Sequence, residues 1–231
     1  MNIKPLASGS TGNAYLVTDG NDSLLIECGL PFRKLREALD FKMSELDGCL
    51  ISHCHGDHSK SAKDLMKAGV DVYASKDTID ALGLSGHRIH DVEAMRQPII
   101  GPWTILPFET EHDCPGSLGF LIHKDGQRLL FATDSYFLRY RFKKLNYIMI
   151  ECNYAADILD RNVSAGVVAP DLRNRIIKSH MSLETVKECL KANDLSNVSE
   201  IHLIHLSDAN SDEARFKREV QETTGCVVKV A

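Results

Sequence analysis

The run His53-Cys54-His55-Gly56-Asp57-His58 decides how this chain is read. Four ligand-type side chains fall within six positions, directly after an apolar stretch at 48–52 that reads as a short buried strand. A strand end followed by a loop lets such side chains converge instead of spreading along a rod. Imidazole and carboxylate are ligand types for Zn²⁺, with Mn²⁺ or Fe as alternatives. The run separates into two pairs, His53 with His55 and Asp57 with His58, which points to two metal ions. Gly56 between the pairs permits a sharp turn. A mid-chain HxHxDH run has little packing rationale and a clear ligand rationale.

Two metals need more ligands than one loop supplies, and each further ligand is expected just after a strand, where a rigid scaffold presents it. His112 follows the apolar stretch 103–108, Asp134 follows 129–133, and His205 ends the stretch 201–206. One His or Asp at a strand end is usually only polar. Three of them after three separate strands make a joint case. His87, His90, His123 and His202 lack such company and read as structural or solvent-facing.

Around these points the pattern alternates. Strands are expected at 14–19 and 23–28 around the turn Asp19-Gly20-Asn21-Asp22, at 70–74, 118–123 and 128–133, at 147–152, and at 226–230. Helices are expected at 31–39, 59–68, 76–82, 183–192 and 212–223 from their apolar spacing and their Pro and Gly boundaries. No linker, repeat or low-complexity block interrupts the chain, so it reads as one domain over 1–231. Many strands with helices able to cover them suggest a sheet sandwich flanked by helices. Periodicity alone does not separate that from a three-layer α/β sheet.

The 231 residues, 43% hydrophobic and 26% charged, exclude a disordered tail, a collagen-like chain and a small disulfide-stapled scaffold. A net charge of −5 gives no whole-molecule attraction to nucleic acid or an anionic membrane, so any polyanion contact needs a local basic patch or bound metal. No apolar run approaches the ~20 residues of a membrane span. The N-terminus lacks a signal-peptide core. Seven scattered cysteines without CxxC spacing suit a reducing, cytoplasmic setting.

The order HxHxDH, a lone His, an Asp in a Thr-Asp context and a last His in a His-Leu-Ser context resembles the metallo-β-lactamase fold. The resemblance implies an αββα sandwich, two mixed sheets with helices on the outer faces. It implies His53, His55 and His112 on one metal, Asp57, His58 and His205 on the other, and Asp134 between them. Ser8-Gly9-Ser10-Thr11-Gly12-Asn13, Glu151-Cys152-Asn153-Tyr154 and Ser179-His180-Met181-Ser182 narrow the likeness to the small YycJ- and WalJ-type nucleases of that fold. Glu27 stands where these usually have Asp, and His180 lies in SHMS instead of GHLS. The short stretch from Asp134 to His205 leaves no room for a large RNA-clamping insert.

The implied chemistry is phosphodiester hydrolysis of DNA or RNA, most simply as an exonuclease, by a hydroxide held between two divalent cations. Asp57 is the candidate base on the attacking water. His180 is the candidate group that meets the phosphate or protonates the leaving oxygen. Ser10, Asn13 and Asn153 are candidate substrate contacts. The alternative is hydrolysis of a small ester, thioester or lactone on the same centre. Two basic stretches, Arg139 to Lys144 with Tyr140 and Phe142 interleaved, and Arg173 to Lys178, are candidate polyanion contacts. The expected partner is nucleic acid or another phosphodiester, with no membrane, and the residues fix no oligomeric state.

Overall fold

The computed structural model describes residues 1–231. Its strands are β1 (Asn2–Ala7), β2 (Ala14–Thr18), β3 (Ser23–Ile26), β4 (Leu46–Leu50), β5 (Val72–Ala74), β6 (Ile89–Asp91), β7 (Ile99–Ile100), β8 (Trp103–Glu109), β9 (Leu118–Lys124), β10 (Gln127–Ala132), β11 (Tyr147–Glu151), β12 (Glu200–Ile204) and β13 (Val227–Val230). Its helices are α1 (Phe32–Ala38), α2 (Gly56–Ser59), α3 (Ala62–Lys67), α4 (Lys76–Leu82), α5 (Ala156–Ser164), α6 (Pro170–Ser179), α7 (Leu183–Lys191) and α8 (Glu213–Thr224). The strands form two mixed sheets, one of six in the order β1-β2-β3-β4-β5-β6 and one of seven in the order β13-β12-β11-β10-β9-β8-β7. No helix is long and apolar enough to cross a membrane. All seven cysteines are free thiols.

The chain divides into two compact units: Met1–Glu109 with Cys114–Asp125, and Thr110–Asp113 with Gly126–Ala231. In the first, β1 to β3 pair antiparallel and β3 to β6 parallel. Its core gathers Leu25, Leu35, Ile51, Leu65 and Val72. Trp103 is wholly buried, and its Nε1–H donates to Asp47 Oδ2 at 2.8 Å. Lys124 lies 4.8 Å from the Trp103 ring centroid and pairs with Asp19 and Asp22, tying the end of β9 to the β2–β3 turn. This is the usual arrangement for a buried ammonium, which needs both acids and apolar packing for its stem.

In the second unit β10, β11, β12 and β13 are all parallel. β11 and β12 are buried at four of five positions each. Near-continuous apolar runs are what a strand buried on both faces requires. Helix α7 contributes Leu183, Val186 and Leu190 to this interior, and α8 contributes Phe216 and Val220. Helices α5 and α6 make a smaller cluster of Tyr154, Leu159 and Val168, with Ile176 packed on it.

Several elements depart from the sequence expectation. The single helix expected over 59–68 is broken into α2 and α3, because Ser61 N–H bonds Cys28 O and Ser61 Oγ–H bonds Leu30 O, outside any helix ladder. β1 forms despite Pro5, since an edge strand tolerates one missing donor. Helices α5 and α6 lie where the sequence reading expected no helix. The basic stretch at 139–144 is irregular, with Phe142 buried and so removed from any stacking platform.

Candidate metal centre

In the first unit the HxHxDH run begins three residues beyond β4 and turns into α2. Four polar connections hold that turn. Asn13 N–H and Asn13 Nδ2–H both donate to Asp57 O, at 2.7 and 3.2 Å. Cys28 N–H donates to His58 O at 2.8 Å, and Ser59 Oγ–H lies within reach of Cys54 O and His55 O. Gly29 lies directly beneath: a Cβ there would meet Asp57 O at 1.7 Å, so only glycine permits the approach.

The side chains gather accordingly. His53 Nε2 is 3.1 Å from His55 Nδ1, the His53 and His58 rings are 4.2 Å apart, and His58 Nε2 is 3.4 Å from Asp57 Oδ2. His53 and His58 are wholly buried. Glu27, also wholly buried, accepts from Ser52 N–H at 3.2 Å and places Oε2 3.6 Å from His58 Nδ1. A carboxylate behind a ligating imidazole fixes its tautomer and raises its basicity.

The second unit assembles its own set from four separate segments. Asp134 lies just after β10, Glu151 ends β11, His180 caps α6 and His205 follows β12. One ligand-type atom from each lies within 4.8 Å of the others. Glu151 is the hub. Oε1 is 2.6 Å from His180 Nδ1 and 3.0 Å from His205 Nδ1, while Oε2 accepts from Ser135 and Met181 N–H at 3.1 and 3.2 Å. Burial opposes its ionisation, but His180 and His205 outweigh it and hold the carboxyl below its ordinary value. His180 is desolvated too, yet the Glu151 charge and hydrogen bond push its pKa up.

His112 joins this set from Thr110–Asp113. Ser179 O accepts from its Nδ1–H at 3.1 Å, which leaves Nε2 as the lone-pair nitrogen, 3.6 Å from Asp134 Oδ2. Burial lowers its pKa against the opposing charges of Asp134 and Asp113. Asp134 Oδ1 is 3.3 Å from His205 Nδ1.

The donor chemistry of each unit fits divalent cations. In the first, imidazoles crowd one another beside a carboxylate. In the second, two buried carboxylates and an imidazole nitrogen face one space. Lone pairs and carboxylate oxygens so placed can be shared by a cation. Imidazole with carboxylate oxygen suits Zn²⁺, Mn²⁺ or Fe²⁺ ions.

Glu27, Asp134 and His205 all adopt left-handed backbone, with φ of 64°, 42° and 54°. Such conformations cost about 1–3 kcal/mol each and gather where function requires them. The remaining expected residues lie as follows. Ser10 is exposed on its loop. Asn13 is buried, with its Oδ1 accepting from Gly9 N–H and Tyr15 O–H and its Nδ2 3.2 Å from His58 Nε2. Asn153 is buried and donates to His205 O at 2.9 Å. Glu151 was quoted within its motif but given no role by sequence reasoning. Its signal is an acidic residue ending an otherwise apolar strand, Tyr147–Glu151, where burial demands a partner.

The family model described as the Metallo-beta-lactamase superfamily matches residues 7–140. The exodeoxyribonuclease WalJ of Streptococcus pneumoniae serotype 2 (strain D39 / NCTC 7466) is 28% identical over 223 residues, covering 89% of this chain and 81% of that protein. The exodeoxyribonuclease YycJ of Bacillus anthracis is 27% identical over 231 residues, covering 91% and 84%. Among solved structures, the metallo-beta-lactamase fold protein YhfI from Bacillus subtilis superposes with a TM-score of 0.77 at 18% identity, covering 99% of this chain and 95% of that one. Zn(2+)-bound PqqB from Methylobacterium extorquens superposes with a TM-score of 0.73 at 13% identity, covering 100% and 97%. With residue groups of these ligand types in each unit and a family match across more than half its length, the chain belongs to the metallo-beta-lactamase superfamily and is a metal-dependent hydrolase.

Proposed function

We propose that this protein is a metal-dependent phosphodiesterase acting on nucleic acid, most simply as a DNA exonuclease. The observation that carries the reading is the 28% identity over 223 residues to an exodeoxyribonuclease of similar length. The whole chain is read as one functional domain. By motif order His53, His55 and His112 hold one divalent cation, Asp57, His58 and His205 hold a second, and Asp134 is shared. Zn²⁺ and Mn²⁺ are the leading candidates. Bound there, the ions would supply Lewis acidity toward the phosphoryl oxygens and a water-derived nucleophile near neutral pH. The free thiols suit a reducing, cytoplasmic compartment.

The protein's own groups do the rest. Asp57 takes a proton from the incoming water in this reading. Glu151 holds the His180 ring by Nδ1, and His180 keeps 21% of its side chain exposed where Asp134 and Glu151 keep 4% and 1%. Its Nε2 is the group that meets the leaving oxygen and gives it a proton. Ser10 is the exposed hydroxyl available to a substrate phosphate, whereas Asn13 and Asn153 act by holding Asp57 and His205 in place.

The test is turnover of labelled single-stranded DNA, duplex DNA and RNA by protein loaded with Mn²⁺ or Zn²⁺, two ions per chain. Asp134→Asn is expected to cost roughly 10³-fold in kcat/KM, the size of several kcal/mol of lost charge stabilisation. No turnover of any nucleic acid by fully loaded protein, with brisk cleavage of a thioester or lactone, overturns the reading.

A further inference from the structure

Within the first unit two adjoining cavities lie beside the ligand loop, of about 250 and 320 Å³. Lys63 and Leu84 belong to the walls of both, so together they form one groove. Its near end is walled by Cys54 and Gly56, inside the HxHxDH run. Gly56 is exposed, with nothing within 4 Å of where a Cβ would stand, so the backbone is bare to a ligand there.

The groove is cationic. Lys60 and Lys63 line the near part, Lys67 and Arg88 the far part, and no aspartate or glutamate lines either. That is a strong local bias in a chain of net charge −5. Lys63 and Lys67 are four apart on α3 and so share one face, about 6 Å apart along the axis. That step is comparable to the one between successive phosphates of an extended strand. Like charges at this spacing repel, and nothing within the groove offsets them. Lys67 has an exposed pair with Asp64 at 3.6 Å and Arg88 donates to half-buried Asp71 at 3.3 Å, while Lys60 and Lys63 are exposed. In the other basic stretches Arg139, Arg173 and Arg175 are paired with Glu111, Asp160 and Asp113. Met66 and Leu84 give the groove an apolar floor, suited to sugars and base faces below a cationic rim.

We propose that this groove carries the sugar-phosphate backbone of a single nucleic-acid strand away from the ligand loop, with Lys60, Lys63 and Lys67 on successive phosphates. The proposal rests on the phosphodiesterase reading for its substrate class. It explains how an acidic protein holds a polyanion without a separate binding arm: the contact is local and continuous with the loop.

The test compares the full-length protein with Lys60→Gln/Lys63→Gln/Lys67→Gln. Three readouts are taken: binding of a labelled phosphorothioate oligothymidylate across a salt series, kcat/KM on an oligonucleotide, and kcat/KM on bis(p-nitrophenyl) phosphate. The triple variant is expected to bind at least about 10-fold more weakly at low salt. Its slope of log affinity against log salt should be shallower by about 2, from roughly 0.7 per single-strand phosphate contact. Its rate on the small diester should stay within about two-fold of the parent. Unchanged oligonucleotide binding, no binding by the parent, an equal fall on the small diester, or loss seen instead with Lys143→Gln/Lys144→Gln overturns the groove. A parent that binds with the expected slope yet cleaves no diester overturns the phosphodiesterase reading and leaves the groove standing. A cleaving parent with an indifferent triple variant does the reverse.

Discussion

The two units build their candidate ligand sets in opposite ways. In the first, His53, His55, Asp57 and His58 are near neighbours in the chain, and the fold has only to hold one short turn in shape. It does so through the backbone, with Asn13 and Cys28 gripping the carbonyls of Asp57 and His58. In the second, Asp134, Glu151, His180 and His205 come from four segments, and a buried carboxylate brings them into register through their side chains. A contiguous motif is sensitive to backbone packing beneath it. A dispersed one is sensitive to the single polar group at its centre.

Gly29→Ala breaks the first arrangement most severely. The added methyl would overlap Asp57 O at 1.7 Å, and the blocking atom is a backbone oxygen held by two hydrogen bonds from Asn13. A loss above about 4 kcal/mol is expected, outside the ordinary range for single substitutions. Thermal melting checks it, and a variant melting within a few degrees of the parent would show that the turn is not clamped from below.

Glu151→Gln and Glu27→Gln sharpen the contrast. Removing a carboxylate that orients a ligating imidazole typically costs 10–100-fold in metal affinity or activity. Glu151 touches two imidazoles and accepts two backbone N–H groups, whereas Glu27 accepts from Ser52 N–H and stands 3.6 Å from one imidazole. The Glu151 change is therefore expected near the upper end and the Glu27 change near the lower, as read by calorimetric titration with Zn²⁺ or Mn²⁺. Equal losses would remove the distinction between a hub and a support.

The smallest effect lies away from both sets. Arg215 reaches Asp157 Oδ1 and Oδ2 at 2.9 and 2.8 Å, and these hydrogen bonds hold the Asp157 carboxyl below its ordinary value. A depressed carboxyl contributes stability above its unfolded pKa of about 4 and loses it as pH falls through the folded value. Asp157 is 62% exposed, so Asp157→Asn is expected to cost at most about 1 kcal/mol at pH 7 and to weaken the acid sensitivity below pH 4 slightly. Urea titrations at pH 7 and pH 3 check it, and a larger cost at pH 3 than at pH 7 would reverse the assignment.

Much of this was legible beforehand. Alternating and continuous apolar runs gave β2 through β5 and β8 through β13 within a few residues, because burial on one or both faces leaves that imprint. The break between α2 and α3 left none, since Ser61 bonds to Cys28 and Leu30, more than thirty positions away in sequence. The HxHxDH run was conspicuous because its members are adjacent. Glu151 was not, because an acidic residue ending a strand carries meaning only once its imidazole partners are known.

The sequence by itself determined the ligand types, their order along the chain and the family they resemble, since those follow from residue identity and spacing. Only the tertiary structure decided that Asn13 and Asn153 are buried in the protein's own hydrogen bonds, that Glu151 is a hub, and that Lys60, Lys63 and Lys67 rim one groove with no aspartate or glutamate in its lining. The physical reason is that a polar group's role depends on which partners surround it after water has left, and that is a property of three-dimensional neighbours.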